Sequence, residues 1–393
     1  MAILAVNAGS SSLKFSLHPL HAGQAQRSVL NGNVEGLEPG GHAVLGWSYE
    51  GQRQQRQLPA TDGDPFEQAL QALGELLEAI PALVKLDAIA HRVVHGGPEF
   101  SASVRVTDTV MEHLTRFNSL APLHQPQNLK GISAFQKAFP STPQVACFDT
   151  AFHATLAEAD YIFALPQALA DQGVRRYGFH GLSYQYVIGA LQQRSERASG
   201  RVLMAHLGNG ASLCAARNGR SCATTMGFST LDGLVMGTRS GTLDVGVMLY
   251  LMEQGWDHAR LQTLLYKQSG LLGVSGISAD MRTLRADGSA SAKRAIELFT
   301  HRVVRESGAM VACMGGLDVL SFSGGIGEHD AEMRAEICQR LAWLGVALDP
   351  ERNAQATSDQ EMAIHSADSS VQVWVMPTDE GLVVAREAAR LLP

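Results

Sequence analysis

Two short stretches of this chain follow the same pattern, and that repetition limits the fold more than any other feature. Ala2-Ile3-Leu4-Ala5-Val6 is an apolar run of strand length, Asn7-Ala8-Gly9-Ser10-Ser11-Ser12 is a tight polar turn, and Leu13-Lys14-Phe15-Ser16-Leu17 returns with alternating character. Later, Val202-Leu203-Met204-Ala205-His206-Leu207 enters the turn Gly208-Asn209-Gly210-Ala211-Ser212 and returns through Leu213-Cys214-Ala215-Ala216. Each stretch reads as a β-hairpin. Small residues at a hairpin tip let backbone N–H groups approach an anionic oxygen cluster, and Lys14 adds charge at the first tip. The echo suggests two halves with the same supersecondary start.

Length agrees with two halves, since 393 residues are too many for one ordinary core. With 45% hydrophobic and 18% charged residues the composition is that of a globular protein, not a disordered one. No stretch approaches the ~18 consecutive apolar residues of a membrane span. The N-terminal apolar run stops at Asn7 after five residues, too short for a secretory signal. A net charge of −7 with six lysines argues against nucleic-acid binding. Cys147, Cys214, Cys222, Cys313 and Cys338 are scattered without a C-x-x-C pair, as in a cytoplasmic protein with reduced thiols.

Between and after the hairpins the chain alternates helix and strand signals. Asp64-Pro65 predicts an N-cap and first helical residue ahead of Phe66, Ala69, Leu70, Leu73, Leu77 and Ile80 at helical spacing. Ala88 to Val94 predicts a buried strand carrying Arg92 at its far end. His91 and His95 lie ~13 Å apart on such a strand and lack the glutamate of H-E-x-x-H, so they do not form a zinc site. Asp108 is expected to cap a helix to about Phe117, and a helix over 127–138 follows the loop Leu120-Ala121-Pro122-Leu123-His124-Gln125-Pro126. Strand Gln144 to Phe148 delivers Asp149 at its carboxyl end, where α/β proteins place ligands.

In the second half, Arg175-Arg176-Tyr177-Gly178-Phe179-His180-Gly181 precedes a helix from about Leu182 to Arg194. Gly237-Thr238-Arg239-Ser240-Gly241 puts an arginine in a flexible loop. Helices are expected at 244–254, 257–268 and 290–314, with Asp280-Met281-Arg282 in the loop before the last. Strand Asp318 to Ser323 opens onto a glycine-rich turn, Gly324-Gly325-Ile326-Gly327, suited to close approach by a nucleotide, before helix 330–344. Strand Val371 to Met376 runs to Thr378-Asp379-Glu380, and helix 381–392 closes the chain. No lysine follows a glycine, which excludes the P-loop motif.

Hairpin loops, a glycine-rich strand–helix turn, loop arginines and strand-end carboxylates together resemble the phosphate-handling cleft of the acetate and sugar kinase, Hsp70 and actin superfamily. Longer strings narrow the likeness. VNAGSSSLKF, HRVVHGG (91–97), LAPLHQPQN (120–128), FDTAFH (148–153), RRYGFHG (175–181), HLGNGAS (206–212), MGTRSG (236–241), SADMR (278–282) and SGGIGE (323–328) resemble the acetate kinase family, in order, from end to end. The resemblance implies an α/β protein of two related domains with the actin-like ATPase (ribonuclease H-like) fold and an interdomain active-site cleft. The split expected is 1–148 plus 381–393 for the N-terminal domain and 149–380 for the nucleotide-binding domain.

It also implies ATP + acetate ⇌ ADP + acetyl phosphate, with Mg²⁺ (Mn²⁺ able to substitute), in a cytoplasmic homodimer. By the same resemblance Asn7, Ser10, Ser12 and Lys14 form the first phosphate loop. Arg92, Arg239 and His180 handle the substrate carboxylate and the transferred phosphoryl group. Val94, Leu123, His124, Phe179 and Thr230 line the acyl pocket. His206, Leu207, Gly208, Asn209 and Gly210 form the second phosphate loop. Asp280, Met281, Arg282, Gly324, Gly325, Ile326 and Gly327 hold adenosine, and Asn7, Asp149 and Glu380 organise the metal.

The chemistry suits this inventory. A carboxylic acid has a pKa near ~4, so acetate at neutral pH is already a nucleophile. Asp149 then reads as a metal or positioning carboxylate rather than a general base. The difficulty is bringing an anion to an anionic phosphate, which arginines, a histidine, a cation and backbone N–H groups relieve. Four positions depart from the family pattern: Thr230 for proline, Tyr184 for histidine after GFHG, Val245 for proline after Asp244, and Gly381 for a second glutamate. Thr230 bears on acyl-chain preference, while Val94 still favours acetate over propionate. Rival readings are a propionate, butyrate or sugar kinase of the same fold, and a non-catalytic nucleotide switch.

Overall fold

The computed structural model describes residues 1–9, 11–38, 41–59, 63–80, 85–122, 124–357 and 360–392. The chain divides into two compact units, Met1–Ala151 with Asp379–Pro393, and Phe152–Thr378. The boundaries expected from the sequence, 148 and 381, shift slightly, and Asp149 and Glu380 both belong to the first unit. The reason is local. Asp149 N–H still bonds the Val93 carbonyl and Thr150 Oγ1 accepts Gly96 N–H, while Asp379 caps the terminal helix by accepting Leu382 N–H.

The first unit contains β1 (Ala2–Ala8), β2 (Ser12–His21), β3 (Gln24–Ala25), β4 (Leu30–Glu35), β5 (Val44–Tyr49), β6 (Gln52–Gln57), β7 (Leu86–Val93), β8 (Val104–Arg105) and β9 (Gln144–Phe148). Their order is β6-β5-β4-β2-β1-β7-β9-β8, with β3 paired to β2. β1, β7 and β9 run parallel, and the remaining pairs are antiparallel. Ala2, Leu4, Val6 and Ala8 of β1 join a core with Leu70, Leu73 and Leu77 of helix Pro65–Glu78. Ile3 and Ala5, on the opposite face, are equally buried. Burial on both faces explains why β1 is an unbroken apolar run.

The second unit contains β10 (Arg201–Leu207), β11 (Ala211–Arg217), β12 (Arg220–Thr224), β13 (Val319–Ser323), β14 (Met362–Ala363) and β15 (Gln372–Val375), in the order β12-β11-β10-β13-β15-β14. β10 pairs antiparallel with β11 and parallel with β13, which pairs parallel with β15. The path β12-β11-β10-β13-β15 therefore repeats β4-β2-β1-β7-β9 in order and direction. The two similar hairpins, β1–β2 and β10–β11, occupy the same place in each sheet.

Several local expectations change. Thr107, not Asp108, caps helix Asp108–Arg116, because its extended backbone lets Oγ1 accept Val110 N–H. The next helix starts at Gln125 with Pro126 in its first turn, where a missing N–H costs nothing. Met281 opens helix Met281–Asp287, with Asp280 as its cap, so these residues do not lie in a loop. Gly324–His329 is a short helix instead of a turn. The segment expected as one helix over 330–344 is Ala331–Arg340 followed by the 3₁₀ turn Ala342–Leu344.

Candidate active site

In the first unit, three parallel strands bring chemistry to their carboxyl ends. Asn7 lies near the end of β1, Arg92 near the end of β7, and Asp149 just past β9. Glu380 is the first residue of helix Glu380–Arg390, which packs on β1 and β7. Arg92 gathers them. Its Nε donates to Asp149 Oδ1 at 3.1 Å and its Nη2 to Oδ2 at 2.5 Å. Nη1 donates to Asn7 Oδ1 at 3.3 Å, and Nε stands 3.6 Å from Glu380 Oε2. Burial opposes the guanidinium charge, but Asp149 and Glu380 outweigh it and raise the Arg92 pKa. The carboxylate of Asp149 is buried, and this two-pronged pair compensates its charge.

The first hairpin frames this cluster. Lys14 faces Asn7 across the β1–β2 register, and Gly9 N–H closes the tip on the Ser12 carbonyl at 2.8 Å. Ser10 and Leu123 lie outside the described residues. Val94 is buried, and its N–H donates to Asn128 Oδ1 while Asn128 Nδ2 donates to the Ala8 carbonyl. Asn128 thus links two strand ends that carry predicted site residues. In the sequence Asn128 falls within LAPLHQPQN, where neither pattern nor spacing marks it for a role. His124 caps the helix that bears Asn128.

Among the described residues no group of three or more His, Cys, Asp or Glu side chains is arranged to hold a metal ion. His91 bonds Gln144 Oε1, and His95 Nδ1 accepts Gly97 N–H. Asp149, Glu380 and the Asn7 amide oxygen are hard oxygen donors. That sparse set fits a magnesium ion that takes its other ligands from water and phosphate.

The second unit assembles the remaining residues. His180 adopts a left-handed backbone (φ 57, ψ 21) at the start of helix Gly181–Arg194. Its ring stacks on His206, with centroids 4.3 Å apart and planes at 28°. Each imidazole is held through Nδ1 by a serine, His180 by Ser212 and His206 by Ser183, both at 2.9 Å. Arg239 Nη1 donates to the Thr230 backbone carbonyl at 2.8 Å, so Thr230 contributes a main-chain anchor. A Cβ placed on Gly210 would lie 3.4 Å from His180 Nε2 and 3.5 Å from Arg239 Nη2, so both groups converge over this hairpin tip. Phe179 is buried, and its carbonyl accepts from His153 Nε2.

Close backbone approach joins the glycine segments. A Cβ on Gly324 would sit 2.7 Å from the Leu207 carbonyl, at a φ of +76. One on Gly208 would lie 3.7 Å from Gly325 N. Gly237 N–H bonds the Asn209 carbonyl, and its Cα faces the Asn209 side chain and the Ala279 carbonyl. The 208–210 tip, Asp280 and the start of helix Gly324–His329, with Ile326 and Gly327 in its first turn, are thereby tied together. Asp280 accepts from Arg282 Nε and N–H, which holds its carboxyl down at about 2, and Met281 is buried behind them. Glu328, which no sequence pattern marks for a role, accepts Gly324 N–H and Thr378 N–H and so bridges the ends of β13 and β15.

The departure at Gly381 also has a structural reason. A Cβ there would meet Ser16 Oγ at 2.5 Å, so a second glutamate would displace the β2 side chains.

Comparison with known proteins points the same way as this geometry. The chain is 49% identical to the acetate kinase of Rhodopseudomonas palustris over 99% of this chain and 98% of that one. It is 43% identical to that of Nitrobacter hamburgensis over 99% and 96%. Among solved structures, a propionate kinase from Francisella tularensis superposes with a TM-score of 0.91 at 37% identity, covering 98% of each chain. The acetate kinase of Porphyromonas gingivalis gives 0.89 at 36% identity over the whole of both chains. With the acetokinase family model matching residues 2–386, and the strand-end carboxylates, twin hairpins and glycine segments in place, this chain belongs to the acetokinase family.

Proposed function

We propose that this protein transfers the γ-phosphoryl group of ATP reversibly to the carboxylate of a short-chain fatty acid, acetate foremost, giving acetyl phosphate and ADP. The observation that carries the reading, beside family membership, is the Arg92–Asp149–Glu380–Asn7 cluster at the ends of three parallel strands. In it one arginine grips Asp149 and stands beside Glu380, leaving one net negative charge, rather than a lone carboxylate poised as a base. That suits an acceptor that is already ionised. Asn7, Asp149 and Glu380 would hold Mg²⁺, which when bound neutralises phosphate charge.

Arg92 keeps Asp149 oriented. Arg239 and His180 present N–H donors over the Gly210 tip, suited to equatorial phosphoryl oxygens. The backbone of Gly208–Gly210 and the start of helix Gly324–His329 would take the nucleotide phosphates, with Asp280, Met281 and Arg282 on the adenosine side. Transfer is direct and in line, with no phosphoenzyme. Val94, Phe179, His124 and Thr230 would border the acyl group.

Incubation with ATP, Mg²⁺ and acetate, propionate or butyrate, with hydroxylamine trapping, tests the reading. Acetohydroxamate as the main product is expected. A product only from the longer acids would reassign the substrate, and none from any acid would remove the kinase function.

A homodimer is part of the proposal. No residue of helix Val245–Glu253 is buried, and Val245, Leu249, Tyr250 and Met252 are exposed along with Leu243 before it. An apolar helix left uncovered calls for a partner, and a second copy brings a matching uncharged face. Leu249→Asp is expected to halve the mass seen by light scattering. A wild-type monomer would refute the dimer. Use of ATP and acetate would place the enzyme in the cytoplasm, and no helix among the described residues is long and apolar enough to cross a membrane.

A further inference from the structure

Tyr184, which departs from the family pattern, is fully buried on helix Gly181–Arg194, one turn beyond His180. Its phenol oxygen meets Ser212 Oγ at 2.5 Å, and Ser212 Oγ meets His180 Nδ1 at 2.9 Å. Ser212 is likewise fully buried. The three groups form a short chain ending on an imidazole that the proposed mechanism uses.

Counting protons gives the chain a direction. Besides Ser212, the groups facing the phenol oxygen are the Cys214 thiol, a weak acceptor whose own contacts go to Ala215 and Ser221, and the backbone N–H of His206, itself a donor. The phenol proton therefore goes to Ser212 Oγ. With that oxygen accepting from Tyr184, the serine's own proton has His180 Nδ1 as its acceptor. The opposite polarity would leave a buried phenol proton without an acceptor, a costly arrangement.

We infer that Tyr184 and Ser212 are positioning residues that lock His180 in its Nε2–H tautomer, so that it meets its ligand as a hydrogen-bond donor. An imidazolium would need a proton on Nδ1 and would orphan the serine hydrogen, so the same chain holds His180 neutral. That outcome matters locally. Arg239 Nη2 and His180 Nε2 converge over Gly210, and the His206 ring stacks on His180, so a second full charge on His180 would be repelled. A neutral donor supplies a hydrogen bond without that repulsion. The left-handed backbone of His180 fixes the ring's origin, and the serine bond fixes its rotation.

The identity of the ligand rests on the proposed function, whereas the tautomer does not. The experiment is ¹⁵N NMR of histidine side chains in the ligand-free protein as a function of pH, with His180 assigned by loss of its signals in His180→Asn. Wild type should show protonated Nε2 and bare Nδ1. Tyr184→Phe, which keeps the ring volume, and Ser212→Ala should each give mixed tautomers. Tyr184→Phe should also raise the His180 pKa, because Ser212 Oγ then accepts from Nδ1–H without competing donation from the phenol. The acidic limb of kcat/KM for acyl phosphate formation should move by the same amount.

A wild-type Nδ1–H tautomer, or an unchanged His180 titration in both folded variants, would overturn the inference. Absent acyl phosphate formation with the NMR result intact would remove the function and leave the relay standing.

Discussion

His91 and Gln144 meet across two parallel strands, with the imidazole Nε2 donating to the Gln144 side-chain oxygen at 2.5 Å. The ring packs edge-on against Phe135 and is buried, which lowers its pKa to about 4. His153 in the second unit is similar. It bonds Ser221 and the Phe179 carbonyl, and burial lowers its pKa to about 4.

Both units should therefore lose stability in mild acid. An unfolded histidine takes its proton near 6.5, while these two resist until about 4. Their contribution is complete above pH 6.5 and is lost as pH falls toward 4. Each is worth on the order of 3 kcal/mol over that window. Urea midpoints measured from pH 7.5 to 4.5 should fall steadily, and His91→Gln should flatten part of the slope. A midpoint independent of pH would contradict the assignment.

Asp149→Ala should be more damaging than loss of a surface carboxylate. It removes both acceptors of the Arg92 fork and leaves the guanidinium with the Asn7 amide and Glu380. Breaking such a pair costs about 3 kcal/mol, and turnover should drop by roughly a hundredfold or more. Thermal melts and kcat read the two effects separately. Full activity in a destabilised protein would limit Asp149 to a structural role.

Asn7→Ala should lower turnover more than ATP affinity, because Asn7 meets Arg92 while the glycine segments lie in the other unit. A loss of about tenfold to a hundredfold in kcat with little change in the KM for ATP is expected. Equal losses in both would move Asn7 to the nucleotide side.

Gly324→Ala should act on the nucleotide. The added methyl meets the Leu207 carbonyl, and a φ of +76 strains alanine by about 1–2 kcal/mol. The 207–210 tip and the helix start must part to admit it. The KM for ATP should rise about tenfold while that for acetate holds. Binding of ADP by calorimetry gives an independent reading, and unchanged affinity would separate Gly324 from the nucleotide.

The sequence made the hairpins legible because strand, tip and return strand are local, and their similarity survives without knowledge of the sheet. Arg92, Asp149 and the glycine segments were legible because each sits at a strand end that the apolar pattern marks. What it hid was pairing. That Arg92 grips Asp149 and touches Asn7 depends on three strands distant in sequence lying parallel. Asn128 reads as an ordinary helix residue until Ala8 and Val94 are placed beside it. Tyr184 showed only as an odd residue, since its partner Ser212 lies on another element. Helix limits slipped where caps compete, as with Thr107 ahead of Asp108.

The first unit is built from two lengths of chain, and the helix that starts with Glu380 returns to β1 and β7 only after all of the second unit has been made. On the ribosome, at roughly 5–20 residues per second, the early strands must wait many seconds for that cover. During the wait Ile3 and Ala5 lack the apolar face of the final helix, and Arg92 holds Asp149 without Glu380. A nascent or prematurely terminated chain thus carries a sticky sheet face and an incomplete cluster. The cluster is complete only once Glu380 and the helix that it opens have been made.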